Sequence, residues 1–227
     1  MSSVSEVDAV DAKDVFNDPQ VAPLAEAIAA GDRARVRDLA DSVDLSSCGD
    51  KRVTLLQWAL LNQNLDGLNA LLDAGADPSQ PGMDGDTVVH YAAKANDAAY
   101  LRALLAHGVD PDVVNANSGA SPLHGALKGE RLEQFRALLA AGADPDLADC
   151  SGNTALHVAA LINEPERVID LLNAGASPLA RNAQGVTFQR YLFMTRLELL
   201  NAETSHSWET VLDWLHAHRI PLDMQST

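Results

Sequence analysis

At 227 residues, 47% hydrophobic and 21% charged, the chain has the composition of a folded protein, which excludes a disordered or fibrous one. A formal net charge of −16 repels nucleic acid and anionic lipid and favours basic partners. Aromatics make up only 4%, so the core must be built from Ala, Leu and Val, and no apolar run approaches the ~20 residues of a membrane span.

The chain opens on Glu6, Asp8, Asp11, Asp14 and Asp18 against Lys13 alone. Residues 1–18 read as a loose acidic tail. They lack the basic start and apolar run of a secretory signal, which points to a cytoplasmic location. Ala22-Pro23-Leu24-Ala25-Glu26-Ala27 then begins a first helix, and a second follows from Arg35 to Ser42. Arg33, Arg35 and Arg37 alternate there with Asp32, Asp38 and Asp41. With no aromatics interleaved they read as a solvated face rather than a nucleic-acid patch.

From Thr54 onward two markers repeat in phase. One is Thr54-Leu55-Leu56-Gln57-Trp58-Ala59, Thr87-Val88-Val89-His90-Tyr91-Ala92, Ser121-Pro122-Leu123-His124-Gly125-Ala126 and Thr154-Ala155-Leu156-His157-Val158-Ala159. The other is Leu71-Leu72-Asp73-Ala74-Gly75-Ala76-Asp77-Pro78 and its recurrences at Gly108, Gly142 and Gly175, spaced 33, 34 and 33 residues apart. Thr or Ser at the head of the first marker can N-cap a short Ala-rich helix, and Pro122 sits where Pro is tolerated, at the first helical position. A second helix carries apolar positions such as Leu101, Leu104 and Leu105, or Phe135, Leu138 and Leu139. It ends at a Gly suited to a left-handed cap, and the Asp-Pro or Ser-Pro that follows forces an extended or turn backbone. A second glycine (Gly85, Gly119, Gly152 or Gly185) marks a tight turn before the next Thr or Ser. The unit is helix, turn, helix and a β-hairpin-like loop.

These Thr-Pro-Leu-His-like and Gly-Ala-Asp strings at a 33-residue period resemble the ankyrin repeat. The resemblance covers residues 22 to 221, and it implies an all-α repeat solenoid of about six units starting near 22, 54, 87, 121, 154 and 187. The outer two read as divergent caps. The expected division is tail 1–18, one repeat domain 19–221 and a C-terminal tail 222–227. Phe188, Tyr191, Phe193, Trp208 and Trp214 concentrate large apolar area in the last unit, as a cap requires.

No catalytic constellation is present, and no cofactor or metal is expected: there is no phosphate loop, nucleophile elbow or metalloprotease helix. Cys48 and Cys150 lie several repeats apart, beyond the roughly 7 Å Cα limit of a disulfide, and lack a defined histidine partner. His90, His124 and His157 share one repeat position, which spreads them along the stack instead of converging on one ion. The ankyrin resemblance implies that this histidine bonds locally to backbone and holds the loop. His206, His216 and His218 make a weak metal candidate, since positions two apart point to different faces of a helix.

The expected function is non-catalytic protein binding by a chain that is monomeric when free, with neither nucleic acid nor membrane as partner. The single small, acidic, cofactor-free domain suggests a neutralising, immunity-type inhibitor of a toxin or effector, with a scaffold bridging two proteins as the alternative. In ankyrin proteins partners are held by loop tips and first helices. Carried over by position, that places Met83, Asp84, Asp86, Asn117, Ser118, Cys150, Ser151, Asn153 and Gln184 on loops, and Lys94, Lys128 and Leu161 on first helices. Asp84, Asp86, Asp112, Asp146 and Asp149 are expected to form a one-signed loop edge that attracts a basic partner. Arg-over-Lys usage and the Ala-rich composition hint at a bacterial gene.

Overall fold

The computed structural model describes residues 11–194 and 202–223; for 202–205 it describes backbone only. Two compact units are distinguished: residues up to Ala92 together with Ala99–Val109, and Ala93–Ala98 together with Asp110 onward.

The first unit contains α1 (Ala12–Val15), α2 (Ala22–Ala30), α3 (Arg33–Ala40), α4 (Leu55–Leu61), α5 (Leu65–Asp73), most of α6 (Val88–Lys94) and α7 (Ala99–Ala106). First helices stack on first helices, α2 on α4, and second helices on second helices, α3 on α5 and α5 on α7. The second unit holds α8 (Pro122–Lys128), α9 (Leu132–Ala140), α10 (Ala155–Leu161), α11 (Pro165–Asn173), α12 (Phe188–Leu192) and α13 (Ala202–Ala217). There α10 packs between α8 and α12, and α11 packs on α13. Each unit is thus a stack of helix pairs, as the resemblance implies. Among the described residues the loops contain no strand, only an isolated bridge between Cys48 and Thr54. Each loop is instead closed by a backbone bond, such as Gly82 to Asp86 at 2.9 Å or Asp149 to Asn153 at 3.0 Å.

The core is made of small aliphatic side chains. Leu24, Ala25, Ile28, Leu68 and Leu71 are buried in the first unit, and Leu123, Ala126, Leu138, Leu156 and Leu171 in the second. Burying each such leucine is worth about 1.5–3 kcal/mol. Gly75, Gly108, Gly142 and Gly175 end the second helices with φ between 74° and 98°. Added Cβ atoms would meet nothing within 4 Å there, so it is the left-handed backbone rather than lack of space that selects glycine. Gly152 is the opposite case. Its Cβ would lie 2.7 Å from the backbone nitrogen of Ala183, because adjacent loops touch at that point.

Packing begins before the expected tail boundary. Phe16 is 2% exposed and meets Trp58 edge-on, with ring centroids 5.8 Å apart, while Trp58 Nε1 donates to the Ala25 carbonyl at 2.9 Å. The acidic count of residues 1–18 obscured this: Ala12 and Phe16 are buried, and Lys13 of α1 pairs with Glu26 of α2 at 2.8 Å. At the other end, Trp208 is 1% exposed, its ring 5.5 Å from that of Phe193, and Trp214 Nε1 donates to Asn173 Oδ1 at 3.1 Å. The segment after α13 returns to α12. Gln189 Nε2 donates to the Pro221 carbonyl at 3.1 Å, and the Asp223 N–H donates to Gln189 Oε1 at 2.9 Å.

One side chain per repeat joins helix to loop. At the third position of α4, the Gln57 N–H donates to Thr54 Oγ1 and the Thr54 N–H donates to Gln57 Oε1, both at 3.1 Å, closing a capping box. Gln57 Nε2 then reaches forward to the Asp86 carbonyl at 2.8 Å. Histidine does the same in the second unit. His124 Nδ1 meets the Ser121 N–H at 3.3 Å and its hydroxyl at 2.9 Å, while Nε2 faces the Asn153 carbonyl at 2.8 Å. His157 repeats this with Thr154 and the Val186 carbonyl, at 3.2, 2.9 and 3.1 Å. His90 makes the same Nδ1 contacts with Thr87, at 3.2 and 3.0 Å.

A backbone N–H can only donate and a carbonyl can only accept, so each ring must be neutral, with its proton on Nε2. Burial pushes the pKa of His124 and of His157 below the usual 6.5, opposed by the carbonyl each ring donates to and by the charge of Asp149. A depressed folded-state pKa contributes stability that is present above the unfolded value and lost as pH falls through the folded one. The melting temperature, followed by circular dichroism, should therefore drop as pH is lowered from 7 towards 5. The double variant H124Q/H157Q, built on the geometry of Gln57, should lose part of that dependence; an identical pH profile would contradict the histidine account.

Candidate functional site

The expected loop residues divide by what their side chains already do. In the first unit Asp84 is exposed, at a left-handed φ of 57°. Met83 is half-buried, and its N–H donates to Gln57 Oε1 at 3.2 Å. Asp86 is only 8% exposed, and its carbonyl accepts from both Gln57 and Gly82. Its backbone is part of the loop closure, and little of the residue reaches the surface. Burial, followed by the charges of Asp86 and Asp84, holds the Tyr91 phenol above its usual range.

In the second unit the loops carry a side-chain acceptor at one fixed place. Asn115 Oδ1 accepts from the N–H groups of Asn117 and Ser118 at 2.9 and 2.7 Å. Asp149 Oδ1 accepts from Ser151 and Asn153, both at 2.9 Å. Asn182 Oδ1 accepts from Gln184 and Val186 at 3.0 and 3.3 Å. These Asx turns set the tip conformation. Adjacent tips are then tied together, the Cys150 N–H to the Ser118 carbonyl at 2.8 Å and the Ala183 N–H to the Ser151 carbonyl at 2.9 Å.

Asp112 and Asp146 reach across in the same way, accepting from the Asp144 and Ser177 N–H groups at 2.9 and 2.8 Å. Asp112, Asp146 and Asp149 of the expected acidic edge thus also serve as acceptors for backbone N–H groups. Burial raises the pKa of Asp112, opposed by its bond to the Asp144 N–H.

Asn117, Ser118, Cys150, Ser151 and Gln184 present exposed side chains at the tips. Asn153 does not. It is half-buried, its Oδ1 accepts from Asn182 Nδ2 at 2.9 Å and its carbonyl accepts from His124. Its side chain is thus engaged within the loops rather than extended from a tip.

On the first helices, Lys94 and Lys128 are exposed where α6 and α8 end, and Leu161 is 63% exposed at the end of α10. Met194, at the equivalent position after α12, is 67% exposed. The sequence reading missed it because the last unit departs from the consensus, but the repeat phase alone locates it. The ends of first helices in this unit thus present two ammonium groups and two apolar side chains, from four successive layers. Both cysteines are free and exposed. Among the described residues no group of three His, Cys, Asp or Glu is placed to hold a metal ion, and no helix is long and apolar enough to cross a membrane.

The family model for ankyrin repeats, in three copies, matches residues 56–149 and 89–182. The chain is 51% identical over 140 residues to Protein PhlB of Serratia liquefaciens, a match covering 62% of each protein. It is 32% identical over 107 residues to the palmitoyltransferase AKR1 of Kluyveromyces lactis, covering 45% of this chain and 14% of that enzyme. The match therefore spans less than two thirds of either relative. Among solved structures, EF0377, an ankyrin repeat protein, superposes with a TM-score of 0.70 at 22% identity, covering 85% of this chain and 97% of that one. The ankyrin repeat domain of Bcl-3, of the IkappaB family, gives 0.59 at 23% identity, covering 82% and 97%. At these identities the likeness is one of fold.

If Asp149 acts as a loop acceptor, Asp149→Asn should be tolerated, because Asn115 and Asn182 fill the same role. Asp149→Ala removes the acceptor of the Ser151 and Asn153 N–H groups and should cost about 0.5–1.5 kcal/mol in urea unfolding. Equal stability of the two variants would contradict the assignment.

Proposed function

From the premise that the chain belongs to the ankyrin-repeat family, we propose that it is a non-catalytic module that binds another protein through exposed loop tips and first-helix ends. The observation that carries this reading is the state of those tips before any partner arrives. Asx turns and backbone bonds between adjacent tips already order them, so binding would lose little conformational entropy. Ankyrin-repeat proteins use this surface for protein partners. The partial matches to PhlB and AKR1 carry no further activity over to this chain.

The finer reading is a stoichiometric, neutralising partner of the immunity type, cytoplasmic and monomeric when free, that meets a basic surface. The net charge of −16 supports the sign of that partner. Coulomb attraction of this kind acts mainly on the association rate and is screened over about 8 Å at physiological salt.

The test is to isolate the bound protein with the intact chain, purify both, and measure mass by light scattering and association by stopped flow. A one-to-one complex in which the bound protein loses its own activity, and whose association slows as salt rises, is the expected outcome. Two proteins held at once would favour the scaffold reading, and a salt-independent rate would remove the basic surface. Turnover of a small molecule by the chain alone would overturn the non-catalytic reading.

A further inference from the structure

Within the second unit, the turn between α8 and α9 and the turn between α10 and α11 enclose a pocket of about 130 Å³. Cavities of roughly 150 Å³ hold one benzene, so this one is sized for a single side chain. Leu127 and Phe135, both nearly fully buried, belong to its lining. Leu132, 41% exposed, and the half-buried Ile162 give it apolar sides. Leu132, at the first position of α9, keeps part of its apolar surface exposed at the rim of the pocket.

Charges of both signs stand at the mouth. Two guanidinium groups are present, and both are engaged. Arg131 Nε donates to the Lys94 carbonyl at 3.0 Å. Arg167, 12% exposed, pairs with Glu166 at 2.9 Å and Asp170 at 2.8 Å, and lies 5.8 Å from the Phe135 ring centre. Glu130 and Glu164 also line the pocket. Glu130 is exposed and Glu164 half-buried, and among the described residues neither carboxylate is held by an ion pair or side-chain hydrogen bond. Two carboxylates and two guanidinium groups line the pocket; with Arg167 already paired to Glu166 and Asp170, Arg131 alone stands against Glu130 and Glu164.

We propose that this pocket receives one long cationic side chain of the bound protein, an arginine or a lysine. Its methylenes pack against Leu132, Ile162 and Phe135, and its charged head lies at Glu130 and Glu164. An aliphatic stem with a charged end matches an apolar pocket with a carboxylate rim, and arginine is among the side chains that most often anchor interfaces. The inference rests on the protein-binding reading and adds to it a named anchor point, away from the loop tips.

The pocket can be tested without the partner. The full chain, labelled with nitrogen-15, is titrated with n-butylguanidinium, with n-pentanol as a neutral analogue of similar length, and with n-pentanoate. Amide shifts induced by butylguanidinium should centre on residues 130–132 and 162–164. It should bind about two- to fivefold more tightly than pentanol, the range of an exposed charge pair. In E130Q/E164Q that preference should vanish while pentanol binding stays unchanged; the single variants E130Q and E164Q make the same comparison should the double variant not fold.

Equal binding of pentanol and butylguanidinium by the unmodified chain would reduce the pocket to an apolar one and overturn the proposal. So would tighter binding of pentanoate, which would mean that Lys128 at the end of α8 dominates, or shifts scattered over the acidic surface. Such a failure would leave the one-to-one complex with a protein partner untouched, and loss of that complex would leave this titration unaffected.

Discussion

The side chain three residues after each helix cap connects the levels of this structure. In one direction it completes a capping box on its own first helix, and in the other it donates to the carbonyl that precedes the next cap. Gln57 does this through an amide, and His124 and His157 through an imidazole. Without that bond a carbonyl at the base of each loop would be buried without its donor, at a cost of about 1–3 kcal/mol. Where the bond recurs, from Gln57 and from His124 and His157, local capping becomes coupling between neighbouring repeats within a unit.

The exposed surface inherits its order from this arrangement. The loops anchored at the base by His124 and His157 and at the turn by Asp149 and Asn182 have few conformations left to lose. The tips can then differ freely in side chain, as Asn117, Ser118, Cys150, Ser151 and Gln184 do, with little effect on the backbone that presents them. The same division holds at the ends of the first helices. The cap and core positions are fixed in kind, while Lys94, Lys128, Leu161 and Met194 vary in charge and polarity. Constancy below and variety above are what a protein-binding repeat requires.

The helix pairs and their glycine ends were legible from the 33-residue period alone, because cap, apolar stripe and C-terminal glycine recur in fixed phase. The histidine role was legible only through the family resemblance; nothing in its spacing distinguishes a loop anchor from a surface group. The acceptor role of the loop aspartates was not legible while charge was counted one residue at a time. Asp149 occupies the place of Asn115 and Asn182, and aligning those three positions would have marked it as an acceptor before marking it as an anion. The burial of Asp86 was not legible for a related reason, since its position against Gln57 depends on how the loop folds back. Phe16 was overlooked within an acidic stretch, and the pocket beside Leu132 depends on two turns more than thirty residues apart.

The central claim is that at His124 and His157 a neutral imidazole with its proton on Nε2 bridges the helix cap to the following loop. Nitrogen-15 chemical shifts and one-bond couplings of the histidine rings, recorded at pH 7 on the intact chain, test it most directly. For His124 and His157 they should show an unprotonated Nδ1 and a protonated Nε2 whose hydrogen exchanges slowly with water. A rapidly exchanging average of the two tautomers, or a proton resident on Nδ1, would contradict the account.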